Sequence, residues 1–314
     1  MPFLQYGALL IAQIGIMGKQ FSMKKCGAIA PGPFRSVCIN AMRALICLAI
    51  SAVLWLVMDG KGSTVAGNWL SIASGLGTAL SLFCWILASR LVSMTLIECV
   101  NTLGTTVVPL ILAPFLYNGE TPLPLQWVGC ALVCVSLFFF INPAPKKQTR
   151  DRSASALIVS LLTVGGTAAG VTLSMVLKKY YTFHVTDAGL GSAEYFTLMQ
   201  FVGAIAFFAI LIVPLYFREK SLLTPTEECP SPRVTFPFGR VWPFVLVAAA
   251  SLYVNELFTV YAAGLPSAIF YPLSKGLTIL FTFLLDTVAF RDKVTVKKII
   301  GLVTVLAAIV LVNL

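Results

Sequence analysis

A lysine, Lys275, stands inside the apolar run FYPLSKGLTIL, three residues after Pro272. Two carboxylates are placed in the same way, Glu98 in TLIECVNTL and Glu256 in LYVNELF. A charge at the centre of a bilayer costs at least about 2.5–3.5 kcal/mol on insertion scales, so such residues face a bundle interior or a wet cavity. With the neighbouring Asn101, Asn255 and Tyr271 they form the candidate solute-binding set: Lys275, Glu98, Asn101, Asn255, Glu256 and Tyr271. Lys275 offers a cation to a carboxylate or phosphate. Glu98 and Glu256 can hold an amine, and a carboxylate in low dielectric favours its neutral form, which also makes them the proton-coupling candidates. An amino-acid-like zwitterion would suit both signs of charge.

The spacing around these residues is helical. Thr95, Glu98, Thr102 and Thr105 recur at three- and four-residue steps, with Asn101 beside them, and therefore share one face. That face is either a polar seam between packed helices or a cavity wall; a buried Glu98 favours the wall, because backbone alone cannot satisfy it. Ser251, Asn255 and Thr259 repeat at steps of four, with Glu256 alongside. The longest stripe is Ser267, Tyr271, Ser274 with Lys275, Thr278, Thr282 and Asp286. Glu256 and Lys275 lie on adjacent apolar segments and can form an ion pair, either structural or one that opens around a ligand. Pro272 removes the donor that would pair with the Ala268 carbonyl, and breaks at membrane depth are tolerated mainly where neighbours or water replace the lost bond.

The elements that position these residues are apolar throughout. Of 314 residues 58% are hydrophobic and 11% charged, with a mean hydropathy of +0.92, against about 25% charged in an ordinary soluble domain. Segments long enough for a hydrocarbon core of about 30 Å recur from end to end, and the strict alternation of a transmembrane barrel is absent. Ten spans are expected, near residues 3–22, 37–58, 68–90, 94–117, 124–142, 155–177, 190–217, 241–264, 266–289 and 296–314. The first lacks a basic leader and reads as a retained helix rather than a signal peptide.

The fold class this implies is an all-α integral membrane protein, with two inverted five-helix repeats. The first repeat covers residues 1–142, a basic linker 143–154, and the second repeat 155–314. A shift of about 174 residues lays Trp69 over Trp242 and Asn101 over Lys275; with a two-residue gap it lays Gly129 over Gly301. An odd number of helices in each half forces opposite orientations in the bilayer, the inverted-repeat arrangement of many secondary transporters. Loops following odd-numbered spans carry 16 Lys and Arg, while those following even-numbered spans carry three (Lys61, Lys178 and Lys179). Positive charge favours the cytoplasm, so this count puts both termini outside. The net charge of +10 therefore belongs to topology and lipid headgroups, and no nucleic-acid partner is expected.

The closing stretch, LPSAIFYPLSKGLTILFTFLLDTVAFRDKVTVKKIIGLVTVLAAIVLVNL, resembles the end of drug/metabolite transporter superfamily proteins. It has their apolar helix, short charged turn (FRDK) and glycine-led final helix ending in Asn. YNGETPLPLQWVGCALVCVSLFFFIN is the matching hairpin of the first half, with Glu120 and Gly129 at positions where such proteins often carry Glu and Gly. The ten-span layout extends the likeness over nearly the whole chain, which is identified as a bacterial EamA-like member. The resemblance implies secondary transport of a small polar metabolite or drug by alternating access across the plasma (inner) membrane. It also implies that Lys275 occupies the place of a ninth-helix lysine that contacts the anionic part of the substrate in sugar-phosphate and nucleotide-sugar branches. Family members are usually drawn with both termini in the cytoplasm, against the charge count.

Other functions are disfavoured. One histidine, His184, is expected to be solvated in the connection after span six, and it gives neither His-based catalysis nor a multi-histidine metal centre. No nucleophile constellation points to an enzyme, no cofactor or metal is expected, and no GxxxxGK[ST] loop suggests ATP. Most of the eight cysteines lie in apolar spans and read as small hydrophobes. Arg43 is either a snorkelling helix-end residue or the partner of a carboxylate. Gly166 and Gly170 form a small-residue packing face. The partners implied are a small-molecule solute and the lipid bilayer, and a homodimer is left open. The rival to transport is a membrane scaffold or sensor whose buried charges form closed pairs without a cavity.

Overall fold

The computed structural model describes residues 2–30, 32–58, 60–91, 94–117, 121–140, 154–221, 236–289 and 294–313. Among them all secondary structure is helical, as it must be where no water competes for backbone hydrogen bonds. The helices are α1 (Pro2–Ile29), α2 (Pro33–Val57), α3 (Val65–Leu91), α4 (Met94–Leu116) and α5 (Pro124–Phe140). They continue with α6 (Ala154–Tyr181), α7 (Ala193–Ser221), α8 (Phe238–Ala262), α9 (Ser267–Val288) and α10 (Val296–Asn313). A π-helical turn, Thr182–Thr186, prolongs α6. Proline marks several starts because its missing N–H is unneeded in a first turn: Pro33 begins α2, and Pro124 begins α5. Gly32 before α2 has φ 130°, a left-handed conformation that glycine adopts without strain.

Among the described residues six helices, α2, α3, α6, α7, α8 and α9, are long and apolar enough to cross a membrane. Large apolar side chains on the outside of the bundle, such as Phe115, Leu161, Leu162, Ile210 and Val303, are exposed. Apolar surface on this scale fits a lipid-facing side of a multi-pass membrane protein. The expected linker falls almost wholly on residues 143–153, and the FRDK turn and Glu120 fall on residues 290–293 and 118–120; all of these lie outside the described residues.

Helices are longer than the expected spans where polar residues continue the pattern past the apolar stretch. α1 runs on to Ile29 and takes in Lys24 and Lys25. α6 runs on to Tyr181 and takes in Lys178 and Lys179. These last two were expected in a loop, yet they are 4% and 1% exposed. Lys61 is then the one of the three even-loop cations that stands on a connection. α9 is also unbroken through Pro272. The proline is its sixth residue, so the unpaired carbonyl of Ala268 belongs to the first turn and the helix continues.

Packing is dominated by pairs drawn from opposite halves of the chain: α1 lies on α8, α3 on α6 and α7, α2 on α7, and α5 on α10. One apolar core joins α2, α3, α7 and α8 around Phe196, Phe201, Phe208 and Leu252. Another joins α1, α4, α6, α8 and α9 around Leu9, Tyr117, Met175 and Phe270. Glycines set the closest approaches. A Cβ on Gly75 of α3 would run into the Gln200 carbonyl of α7, and one on Gly170 of α6 would lie 2.7 Å from Ser81 N of α3. The small-residue face expected at Gly166 and Gly170 is thus a packing surface; a Cβ on Gly166 would meet Cys84 Sγ at 2.8 Å.

Replacing Gly75 with Ala should loosen the α3–α7 contact at an overpacking cost of about 1–3 kcal/mol. The control is Gly165→Ala on α6, since nothing lies within 4 Å of its would-be Cβ. Thermal melts in detergent should show a lowered midpoint for the first variant and an unchanged one for the second. Equal melts would refute the close-approach account.

Candidate solute cavity

A cavity of about 130 Å³ opens in the middle of the bundle. A water needs about 10–15 Å³ on this measure, so the space can hold several waters or a small solute. Its wall is built from α1, α3, α4, α6, α8 and α9. Five lining residues of α1 (Gln13, Ile16, Lys19, Gln20 and Met23) and four of α6 (Val171, Ser174, Met175 and Lys178) repeat with three- and four-residue steps. On α3 the steps are Thr78, Ser81, Leu82 and Trp85, and each helix therefore shows the cavity a single face.

Glu256 is the most tightly held polar group on this wall. Lys178 Nζ of α6 donates to its Oε2 in a short buried ion pair. Gln200 Nε2 of α7 donates to the same oxygen at 2.6 Å and lies 2.9 Å from Thr78 Oγ1 of α3. Thr78 is in turn 2.8 Å from Ser174 Oγ of α6, and Ser174 is 3.0 Å from Ser74 Oγ of α3. One carboxylate thus connects four helices. The partner that sequence adjacency offered to Glu256 was Lys275, but the observed ion pair is made by Lys178. The reason is topological: α6 faces α3 and α8 across the cavity, and no local sequence pattern states that.

A second network joins α1 to α9. Gln13 Nε2 donates to Ser274 Oγ at 3.3 Å, while Thr278 Oγ1 donates to Gln13 Oε1 at 2.8 Å. Thr282 Oγ1 reaches Gln20 Oε1 at 3.2 Å. On α8, Asn255 Nδ2 donates to the Ala12 carbonyl at 3.1 Å.

Of the residues expected to bind solute, Lys275, Asn101, Asn255 and Glu256 all line this one cavity. Asn101 is 3% exposed and its Oδ1 has no hydrogen-bond partner, leaving an acceptor on the wall. Tyr271 is elsewhere: it is fully buried in an apolar core, and its hydroxyl is 3.0 Å from that of Tyr117. Glu98 is carried on α4, but its side chain lies outside the described residues. The threonine stripe of α4 is partly self-satisfied, since Thr105 Oγ1 donates to the Asn101 carbonyl at 2.6 Å.

Two further expectations change. His184 is half-buried rather than solvated, because the π turn directs it against Tyr180 (4.3 Å between ring centroids), with Nε2 3.0 Å from the Leu116 carbonyl. Arg43 neither snorkels nor meets a carboxylate by hydrogen bond; it is 0% exposed, and Nη1 donates to Asn40 Oδ1 at 2.8 Å. Sequence reasoning missed Lys178, Gln200, Gln13 and Lys19. The last two leave a signal, since Gln13, Ile16, Lys19, Gln20 and Met23 follow helical steps within the first span.

Because Glu256 and Lys178 are both buried, removing one partner strands the other charge, which typically costs about 3–5 kcal/mol. Lys178→Met should melt well below the wild type in detergent. Adding Glu256→Gln to it should recover most of the loss. A double variant as unstable as the single one would mean that the pair does not carry the effect.

No protein-family model matches the chain, and no curated protein matches it. Among solved structures, 26 chains are similar. One, a protein known from a crystal structure, shares 16% identity over 99% of this chain and 95% of its own, with a TM-score of 0.66. At that identity the likeness is one of fold.

Proposed function

We propose that the protein is a secondary transporter that moves a small polar solute across the plasma (inner) membrane by alternating access, as an EamA-like member of the drug/metabolite transporter superfamily. The observation that carries this reading is a polar cavity inside an apolar bundle, walled by three helices from each five-helix half. Exchanging the first half for the second turns α1, α3 and α4 into α6, α8 and α9, which are the other three wall helices. The same exchange turns the α1–α8 contact into the α6–α3 contact, and maps α2–α7 and α5–α10 onto themselves. It also lays Ser81, Leu82 and Trp85 over Asn255, Glu256 and Thr259, at the shift of about 174 residues that lays Asn101 over Lys275. This correspondence supports two inverted repeats with a site at their interface.

In this reading Lys275, Asn101 and Asn255 contact the solute, and Glu98 or Glu256 exchanges the coupling proton. The Glu256 cluster ties the second half to α3 and is the polar joint that reorganises when the halves rock. The scaffold or sensor alternative expects closed ion pairs and no cavity. Lys178–Glu256 is such a pair, but the open wall beside it favours transport.

Purified protein in liposomes loaded with a metabolite mixture, followed by mass spectrometry of the efflux, tests the reading. Wild-type vesicles should release at least one small polar solute faster than protein-free vesicles. Lys275→Met should slow that release about tenfold or more. Glu98→Gln or Glu256→Gln should flatten its pH dependence. No solute released by the wild type would overturn transport in favour of the scaffold. Unchanged pH profiles in both Gln variants would remove proton coupling through these residues.

Orientation is tested separately. The basic odd loops are proposed to be cytoplasmic, which puts Lys61 outside. In a background freed of native cysteines, Lys61→Cys should react with an impermeant thiol reagent in intact cells. Reaction only after the cells are opened would reverse the topology.

A further inference from the structure

Arg43 lies roughly 15 Å along α2 from its start, at 1.5 Å per residue, and is 0% exposed. Its Nη1 is engaged, by Asn40 Oδ1 at 2.8 Å and by Met23 Sδ at 2.7 Å. Its Nε and Nη2 have no hydrogen-bond partner. A guanidinium holds five N–H donors in one rigid plane, and Nε–H and Nη2–H point the same way along one edge of it. That edge can grip a carboxylate or phosphoryl group through two parallel hydrogen bonds.

Burying a charge without a counter-ion is costly, and buried polar atoms without partners are uncommon enough that each asks for a reason. Among the described residues the salt bridges are Lys178–Glu256 and Arg35–Glu219, and Arg43 is in neither. Glu256 lies within electrostatic range of the guanidinium but gives its Oε2 to Lys178 and Gln200. Among the described residues no carboxylate takes this edge of Arg43, which has the shape and charge to receive an oxyanion.

One side chain links the guanidinium to the cavity. Met23 touches Arg43 through sulfur and at the same time lines the cavity. It is the partition between the two, and methionine, with three rotatable bonds and a thioether that accepts only weakly, is a partition that can turn aside.

We propose that Arg43 is an oxyanion-binding residue of the cavity, reached past Met23, and that the solute carries a carboxylate or phosphoryl group that takes the Nε–Nη2 edge side-on. This deepens the transport reading and rests on it only for the cavity being a solute path.

The test is thermal unfolding of the detergent-purified protein with acetate or inorganic phosphate replacing chloride at constant ionic strength. The wild type should show a saturable rise in melting temperature with at least one of them, and the stronger of the two distinguishes a carboxylate from a phosphoryl ligand. Arg43→Met should melt at or above the wild type without added anion, because it removes a buried charge that lacks a counter-ion, and the anion-dependent rise should vanish. Arg43→Lys, which keeps the charge without the planar edge, should bind about tenfold more weakly or worse, as expected for one lost charge-assisted hydrogen bond. Met23→Ala should strengthen anion binding by opening the partition. No anion response in the wild type, an undiminished response in Arg43→Met, or an Arg43→Met variant that melts far below wild type or fails to fold would each overturn the proposal. Solute flux in liposomes that ignores Arg43→Met would overturn this proposal alone. Arg43-dependent anion binding without any flux supports it and removes the transport reading instead.

Discussion

Glu256 places a carboxylate in the centre of an apolar bundle, where it is stable only if donors from other helices reach it. Lys178 comes from α6 and Gln200 from α7, and the Gln200 amide passes the connection on to Thr78 of α3. That requirement fixes much of the surrounding architecture. For a lysine near the end of α6 to meet α8, and for a glutamine of α7 to touch both α8 and α3, these helices must cross within side-chain reach. The glycines make the crossing possible: Gly75 lets α3 lie on the backbone of α7, and Gly170 lets α6 lie on the backbone of α3. In a bilayer, where the hydrophobic effect does not drive helices together, close backbone packing of this kind and polar contacts are what hold a bundle.

The polar residues are sorted by solvent. Hydroxyls and amides face the cavity or one another, and many threonines return a hydrogen bond to their own helix, as Thr259 does to the Asn255 carbonyl at 2.6 Å. The outward faces of α5, α6, α7 and α10 carry exposed leucine, isoleucine, valine and phenylalanine. The bundle is also tied by Lys179, whose Nζ donates to the Leu265 carbonyl at 2.7 Å and sits 5.0 Å from the Tyr117 ring centroid. A lysine buried among carbonyls and an aromatic face fastens α6 to the α8–α9 turn.

Hydropathy made the helices legible because each apolar stretch is uniform enough to stand out from its neighbours. Their ends were not legible: Lys178 and Lys179 end the apolar stretch but not the helix, so both were placed in a loop. The period of three and four located Asn101, Asn255, Glu256 and Lys275 on inward faces, and they do meet at one cavity. The identity of partners was out of reach, because Lys178 and Glu256 are 78 residues apart and adjacency in sequence favoured Lys275. Tyr271 fell on the same stripe as Lys275, yet it lies one turn nearer the helix start and is enclosed by the aromatic core. Arg43 could be seen as unusual, but a single charge in a span does not say whether it faces lipid headgroups, a carboxylate or an empty edge.

The pairing of α1 with α8 bears on how the chain is made. Gln13, Lys19 and Gln20 give α1 a polar face. The helix that meets this face is not its successor: Gln13 meets Ser274 and Thr278 of α9, 261 and 265 residues further on, and α8 lies alongside, with Asn255 donating to the Ala12 carbonyl. During synthesis the first helix therefore emerges long before the surface that shelters it exists. The contact that completes α1 is for that reason a late one, closed only after α8 and α9 have been made.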